Sequence, residues 1–143
     1  MKFSKKKQLS GKFGKDSKTK KSLYNKLKDE CQTIWSKIVR GRDSYTCQWC
    51  GSKDRTQGHH IVGKGISNKT GWFDPDNGMT LCYQCHFNRL KLEPEVYVAF
   101  RDKWLKERKF NYQDMKIKYN RRFKMIVSDL EIVKTVLLRR SKG

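Results

Sequence analysis

Two short stretches decide the fold of this 143-residue chain: CQWC at residues 47–50 and CYQC at residues 82–85. Each stretch is a C-x-x-C knuckle that lets two thiolates reach one metal ion, and two knuckles complete a tetrahedral zinc site. Four thiolates leave no open coordination position, so the predicted zinc is structural rather than catalytic. The predicted ligands are Cys47, Cys50, Cys82 and Cys85.

Disulfide and redox chemistry are the alternatives for these cysteines. The clustering of four cysteines and the lack of a secretion signal in the sequence argue against disulfides. A thioredoxin-like motif needs a single C-x-x-C and a different fold, so the zinc interpretation is favoured. The fifth cysteine, Cys31, falls on the Leu23 and Leu27 side of a predicted helix and is interpreted as a small core residue.

All three histidines of the chain lie between the two knuckles or directly beside the second one. They occur in GHHIVG at residues 58–63 and LCYQCH at residues 81–86, with DPDNG at residues 74–78 between them. This arrangement resembles the HNH endonuclease family, in which a His-His or Asp-His pair, a central Asn and a final His are interleaved with two C-x-x-C knuckles. The resemblance covers about residues 47–90, less than a third of the chain.

The resemblance implies a ββα-metal finger, made of two short strands, an active-site loop and a helix. It implies that His59 and His86 hold a catalytic divalent metal and that His60 is the general base. It also implies that Asn77 holds the loop and helps to orient His60, and that the products carry 5′-phosphate and 3′-hydroxyl ends.

The chemistry agrees with these residue types. A neutral histidine can take a proton from water, and a metal with few protein ligands can neutralise charge on a phosphate. Because adjacent strand residues point to opposite faces, His59 and His60 are expected to have separate functions. The expected catalytic metal is Mg²⁺ or Mn²⁺. His59 stands where many family members have Asp, and this less anionic ligand shifts the preference from Mg²⁺ toward softer ions such as Mn²⁺, Ni²⁺ or Zn²⁺. Asp74 and Asp76 are interpreted as turn residues.

The predicted fold class is α+β and mainly helical, with a ββα-metal finger stabilised by the four-cysteine zinc and flanked by helices. Residues 1–21, with nine lysines and one aspartate, are predicted to be a disordered basic arm. Residues 22–143 are predicted to form a single HNH nuclease domain. Within it we expect a helix over 22–41, the zinc and ββα-metal core over 42–92, and helices over 93–143.

Finer element boundaries follow from apolar spacing and from capping residues. The sequence predicts a strand within Thr56–Val62 and a helix that begins within Met79–Asn88. It also predicts helices from Pro94 to Arg108, over about 112–120 with Asn111 and Asp114 as a cap pair, and from Met125 to Arg140.

The charge of the chain points to a polyanionic partner. There are 34 Lys and Arg against 14 Asp and Glu, a net charge of +20. Lys64, Lys69 and Arg89 are the predicted phosphate contacts near the site. We expect DNA as the partner, no membrane segment, and a cytoplasmic location in a bacterial or phage-infected cell.

Two functions from different classes remain. The first is a metal-dependent HNH endonuclease that hydrolyses DNA phosphodiester bonds, such as a phage nicking, homing or recombination nuclease acting on branched DNA. The alternative is a zinc-stabilised, non-catalytic module that binds DNA or RNA. The three histidines separate the two, because binding alone does not require them.

Overall fold

The protein is mainly helical with one small sheet, which confirms the predicted fold class. The computed structural model describes residues 4–65, 71–121 and 123–142, and for residues 4–17 it describes only the backbone. The elements are α1 (Ser4–Arg42), β1 (Gln57–His60), β2 (Gly78–Leu81), a π-helical segment (Cys85–Arg89) that continues into α2 (Leu90–Leu92), α3 (Pro94–Glu107), α4 (Tyr112–Tyr119) and α5 (Val127–Ser141).

Helix α1 is longer than the sequence predicts. It begins at Ser4, whereas the sequence predicts a disordered arm over residues 1–21 and a helix that begins at Ser22. The described backbone from Ser4 to Lys21 is helical instead. Proline is absent from this stretch of sequence and lysine is a good helix former, whereas Gly11 and Gly14 each disfavour a helix by about 1 kcal/mol.

The sheet is an antiparallel pair in which Gln57 lies opposite Leu81 and His60 lies opposite Gly78. Helical backbone begins at residue 83, inside the predicted range Met79–Asn88, but residues 79–81 at the start of that range belong to β2. A short apolar run does not reveal its period, which explains why the spacing did not place this strand. The order strand, strand, helix is the one that a ββα-metal finger requires.

Two glycines let α1 lie close against the sheet. A Cβ atom at Gly58 would come within 2.8 Å of the Trp35 ring, and one at Gly78 within 2.9 Å of the same ring. A Cβ at Gly78 would also collide with Val39. These positions therefore need glycine for the close approach of two backbones.

Apolar clusters cover both faces of the sheet. The cluster that includes the knuckle cysteines consists of Cys47, Ile61, Val62, Met79, Leu81, Cys82, Cys85, Trp104, Leu105, Met115 and Tyr119. The cluster between α1 and α5 consists of Leu27, Cys31, Trp35, Val39, Phe73, Met125, Leu130 and Leu137. Cys31 is fully buried there, as predicted for a small core residue.

The C-terminal helices lie where the sequence predicts them, to within two residues at each end. The Asn111 side chain accepts hydrogen bonds from the backbone amides of Gln113 and Asp114, which caps α4. Helix α5 packs on α1, and the Lys134 ammonium donates to a Glu30 carboxylate oxygen at 2.7 Å. Among the described helices, none combines the length and the apolar character that crossing a membrane requires.

Candidate active site and metal centre

The four knuckle cysteines converge on one point. The sulfur atoms of Cys47, Cys50, Cys82 and Cys85 all lie within 4.8 Å of one another. The Sγ atoms of Cys50 and Cys82 are 3.6 Å apart. A tetrahedron with metal–sulfur bonds of about 2.3 Å has sulfur–sulfur edges of about 3.8 Å, so the cluster has the right size for zinc.

The chemistry of the cluster also fits a cation. The five cysteines, all of which the structure describes, are free thiols. Burial and the neighbouring sulfur atoms of Cys50 and Cys82 raise the pKa of the Cys85 thiol. Four crowded sulfur atoms can all be thiolates only when a cation lies between them. The residues present therefore suit a structural zinc ion, as predicted.

The two histidines predicted to hold the catalytic metal come together. The rings of His59, at the end of β1, and His86, in the π-helical segment, have centroids 5.2 Å apart. The Nδ1 atom of His86 donates to Oε1 of Gln57 at 3.0 Å, which leaves the lone pair on Nε2. The Nε2 atom of His59 lies 2.8 Å from the hydroxyl oxygen of Tyr97. Partners of this kind orient metal-binding imidazoles.

His60 faces the other side of the strand. Its ring stacks on the indole of Trp35, with centroids 4.0 Å apart and planes 5° from parallel. Its Nε2 atom donates to the carbonyl oxygen of Trp72 at 2.8 Å. A carbonyl can only accept, so the neutral ring carries its proton on Nε2 and its lone pair on Nδ1. The contacts of His59 and His60 agree with the expectation that they have separate functions.

Asn77 holds the loop that carries the Trp72 carbonyl. Its side chain is fully buried, and both the oxygen and the nitrogen of the amide make hydrogen bonds. The Oδ1 atom accepts from the Val62 amide at 2.7 Å, and Nδ2 donates to the carbonyls of Val62 and Gly71 at 3.1 and 2.9 Å. Asn77 is therefore linked to His60 through this loop, because Gly71 directly precedes Trp72, whose carbonyl oxygen accepts from the His60 ring.

Burial keeps the three histidines neutral. Burial, assisted by His86 and His60, lowers the pKa of His59 to about 3. Burial lowers the pKa of His60 to about 4, although its bond to the Trp72 carbonyl acts in the opposite direction. Burial also lowers the pKa of His86. At neutral pH each ring thus keeps the lone pair that a metal ligand or a general base requires.

This geometry agrees with a comparison against known protein families. Residues 47–89 match the family model of the HNH endonuclease. The match contains both knuckles, the histidine pair, Asn77 and His86, and we refer to it below as the HNH segment. Neither the curated proteins nor the solved structures contain a significant match to the chain. The HNH segment implies a nucleic-acid substrate.

The pair His59 and His86 gains no third ligand from the described residues. The only group of three or more His, Cys, Asp or Glu side chains found there that can hold a metal is the cysteine cluster. Asp74 caps the turn at residues 75–77 by accepting from the Asp76 amide, as predicted for a turn residue. Two protein ligands leave room for water and a phosphate oxygen on a bound ion.

The predicted phosphate contacts have different surroundings. The exposed Lys64 lies on the His60 side, with its ammonium 5.3 Å from the centroid of the Trp72 ring. The guanidinium of Arg89 pairs with Glu93 at 2.7 Å and lies 4.0 Å from the centroid of the Trp49 ring, beside the cysteine cluster. Lys69 lies outside the described residues.

Gln57, Trp35 and Tyr97 are among the side chains that contact the histidines and that the sequence did not predict. Gln57 could have been predicted from the sequence, because residues two apart on a strand share a face and Gln57 lies two residues before His59. Trp35 and Tyr97 could not, because each lies in a helix outside the HNH segment and meets its histidine only in the folded chain. The histidine site therefore extends beyond the family match.

Proposed function

We propose that the chain is a metal-dependent endonuclease that hydrolyses DNA phosphodiester bonds. One observation carries the proposal: each of the three half-buried histidines has one ring nitrogen fixed by a hydrogen bond, and the partial loss of solvent keeps each ring neutral. A module that only binds nucleic acid has no need for three neutral, oriented imidazoles. The net charge of +20 supports a polyanionic substrate.

His60 is proposed as the general base. Its Nδ1 lone pair takes a proton from the attacking water, while the bond between Nε2 and the Trp72 carbonyl stabilises the imidazolium that results. The water oxygen forms a bond to phosphorus as the bond to the 3′ oxygen breaks. The products are then a 5′-phosphate and a 3′-hydroxyl.

His59 and His86 are proposed as the ligands of the catalytic ion. A divalent ion bound there, with Mg²⁺ or Mn²⁺ as the first candidates and Ni²⁺ or Zn²⁺ as alternatives, supplies charge neutralisation on the phosphate and on the leaving oxygen. Tyr97 and Gln57 orient the two imidazoles. Lys64 and Arg89 are proposed to contact phosphates of the bound strand.

Cleavage of supercoiled plasmid with each metal, by wild type and by His60→Ala, tests the proposal. We expect the variant to keep its zinc and its DNA affinity. Its cleavage rate should fall by at least about 100-fold, since general bases contribute about 10² to 10⁴ in rate. Equal cutting by both proteins would refute the role of His60.

The same experiment tests the alternative function. The cysteine cluster and the positive charge are sufficient for a zinc-stabilised, non-catalytic module that binds DNA or RNA. Binding of both nucleic acids with no cleavage under any metal would establish that module and exclude the nuclease.

A further inference from the structure

A row of aromatic side chains lies on the surface next to His86. The ring centroid of Phe87 is 4.7 Å from that of His86, and the ring of Tyr83 is 4.8 Å from Phe87. The guanidinium carbon of Arg55 lies over the Tyr83 ring, 4.4 Å from its centroid. The row therefore leads from an exposed cation to a proposed metal ligand.

This row is not part of the protein core. Tyr83 is 37% exposed and Phe87 is 40% exposed. Neither residue belongs to the two apolar clusters or to the side chains packed against them. Arg55 is exposed as well, and its ion pair with Asp54 is long, at 3.3 Å. The three side chains thus contribute little to the packing of the fold.

We propose that Tyr83, Phe87 and Arg55 form a stacking site for an unpaired base of the strand that reaches the histidine site. This inference rests on the proposed function and narrows its substrate class to DNA with unpaired bases near the cut, such as single strands, flaps and forks. Bases inside a duplex stack on their neighbours and do not offer a free face to a protein ring.

The chemistry of the row suits this occupant. Aromatic rings bind bases of any sequence through their faces, and an arginine adds cation–π attraction and a positive charge for the phosphate. The contact between Phe87 and His86 places the stacked base beside the nucleotide whose phosphate is cut. An apolar protein partner would not use Arg55 in this way.

Binding measurements without added divalent metal test the stacking site separately from cleavage. Fluorescence anisotropy would compare a single strand, a forked duplex with unpaired arms and a full duplex of the same sequence. We expect Tyr83→Leu and Phe87→Leu each to weaken binding to the first two by about tenfold, the effect of losing one stacked base. Binding to the duplex should remain within about twofold, because phosphate contacts dominate it.

Phe110→Leu is the matched control, because Phe110 is 38% exposed and lies outside the HNH segment. It should leave all affinities unchanged. Phe87→Trp should retain wild-type affinity, since it keeps an aromatic face. Zinc content and thermal unfolding would verify that each variant is folded.

An abasic site moved along the unpaired strand gives a second, independent readout. At one position it should weaken binding by wild type by the same factor as Phe87→Leu, and it should weaken binding by that variant no further. Additive losses, or equal losses on single strand and duplex, would overturn the stacking site. Failure of plasmid cleavage would refute the nuclease proposal and leave these binding results unchanged.

Discussion

The cysteine cluster takes all four of its sulfur atoms from residues 47–89, whereas the histidine site also uses Trp35 of α1 and Tyr97 of α3. The cysteine cluster supplies all four ligands of a tetrahedral metal ion. The histidine site supplies two imidazoles, and their positions depend on how the rest of the chain packs around them. The segment that matches the family model therefore contains the whole cysteine cluster, while the flanking helices supply side chains that contact the histidines.

The largest expected effect comes from removing one ligand of the cysteine cluster. We expect Cys82→Ser to lose the zinc ion and the ordered structure of the HNH segment, because structural zinc contributes about 10 kcal/mol or more to small metal-dependent folds. Metal analysis and far-ultraviolet circular dichroism would measure the loss.

Cys31→Ser is the matched control for this change, because Cys31 is equally buried but lies in the cluster between α1 and α5. It should keep one zinc ion per chain and lose only about 1–3 kcal/mol of unfolding free energy, the cost of a buried polar group without a good partner. A folded, zinc-containing Cys82→Ser protein would contradict the view that the cluster holds the segment together.

The next largest effect, on stability and on cleavage rate, is expected from changing Asn77, which holds the loop that carries the Trp72 carbonyl beside His60. Asn77→Asp keeps an acceptor for the Val62 amide but turns a second oxygen toward the carbonyls of Val62 and Gly71. We expect unfolding free energy to fall by about 1–3 kcal/mol for each buried group left without a partner. Displacement of the Trp72 carbonyl should slow cleavage by about 100-fold, as small misplacements of catalytic groups do.

Asn88→Asp is the control for the asparagine change, because the Asn88 amide is exposed and contacts only Gln84 among the hydrogen bonds found for it. It should leave stability and cleavage close to wild type. Undiminished cleavage by Asn77→Asp would show that the loop does not position His60.

The sequence allowed two groups of side chains to be predicted, the four cysteines and the pair His59 and His86, because the members of each lie within one short segment. Knuckle spacing predicted the cysteine cluster, and the order of the histidines and Asn77 predicted the candidate site, in which the role of each residue stays a prediction. Local capping chemistry likewise placed α4, through Asn111. Each of these signals depends on neighbours within one segment.

Features that depend on distant contacts were not predictable in this way. Residues 78–81 became a strand because Met79 and Leu81 pack in one apolar cluster while Gly78 meets α1, a choice that periodicity over four residues does not encode. Trp35 and His60 are far apart in sequence, and their stacking follows from the close approach of α1 that Gly58 and Gly78 permit.

The smallest expected effect comes from Tyr97 of α3, whose hydroxyl contacts His59 in the histidine site. Tyr97→Phe removes one hydroxyl, which lies 2.8 Å from Nε2 of His59, and leaves the buried ring in place. We expect affinity for Mn²⁺ to fall by about tenfold, since losing a partner of a metal-binding imidazole costs about 10- to 100-fold. Titration calorimetry on zinc-loaded protein would measure this without any nuclease assay.

Tyr112→Phe is the control for the tyrosine change, because Tyr112 is a half-buried tyrosine that packs against the cluster containing Cys47, Cys82 and Cys85, and its ring lies under Arg101. It should bind Mn²⁺ as wild type does. Unchanged Mn²⁺ affinity in Tyr97→Phe would mean that the hydroxyl does not orient His59. The contribution of α3 to the His59 side of the site would then be limited to the edge contact between the Tyr97 and His59 rings, whose centroids are 5.5 Å apart.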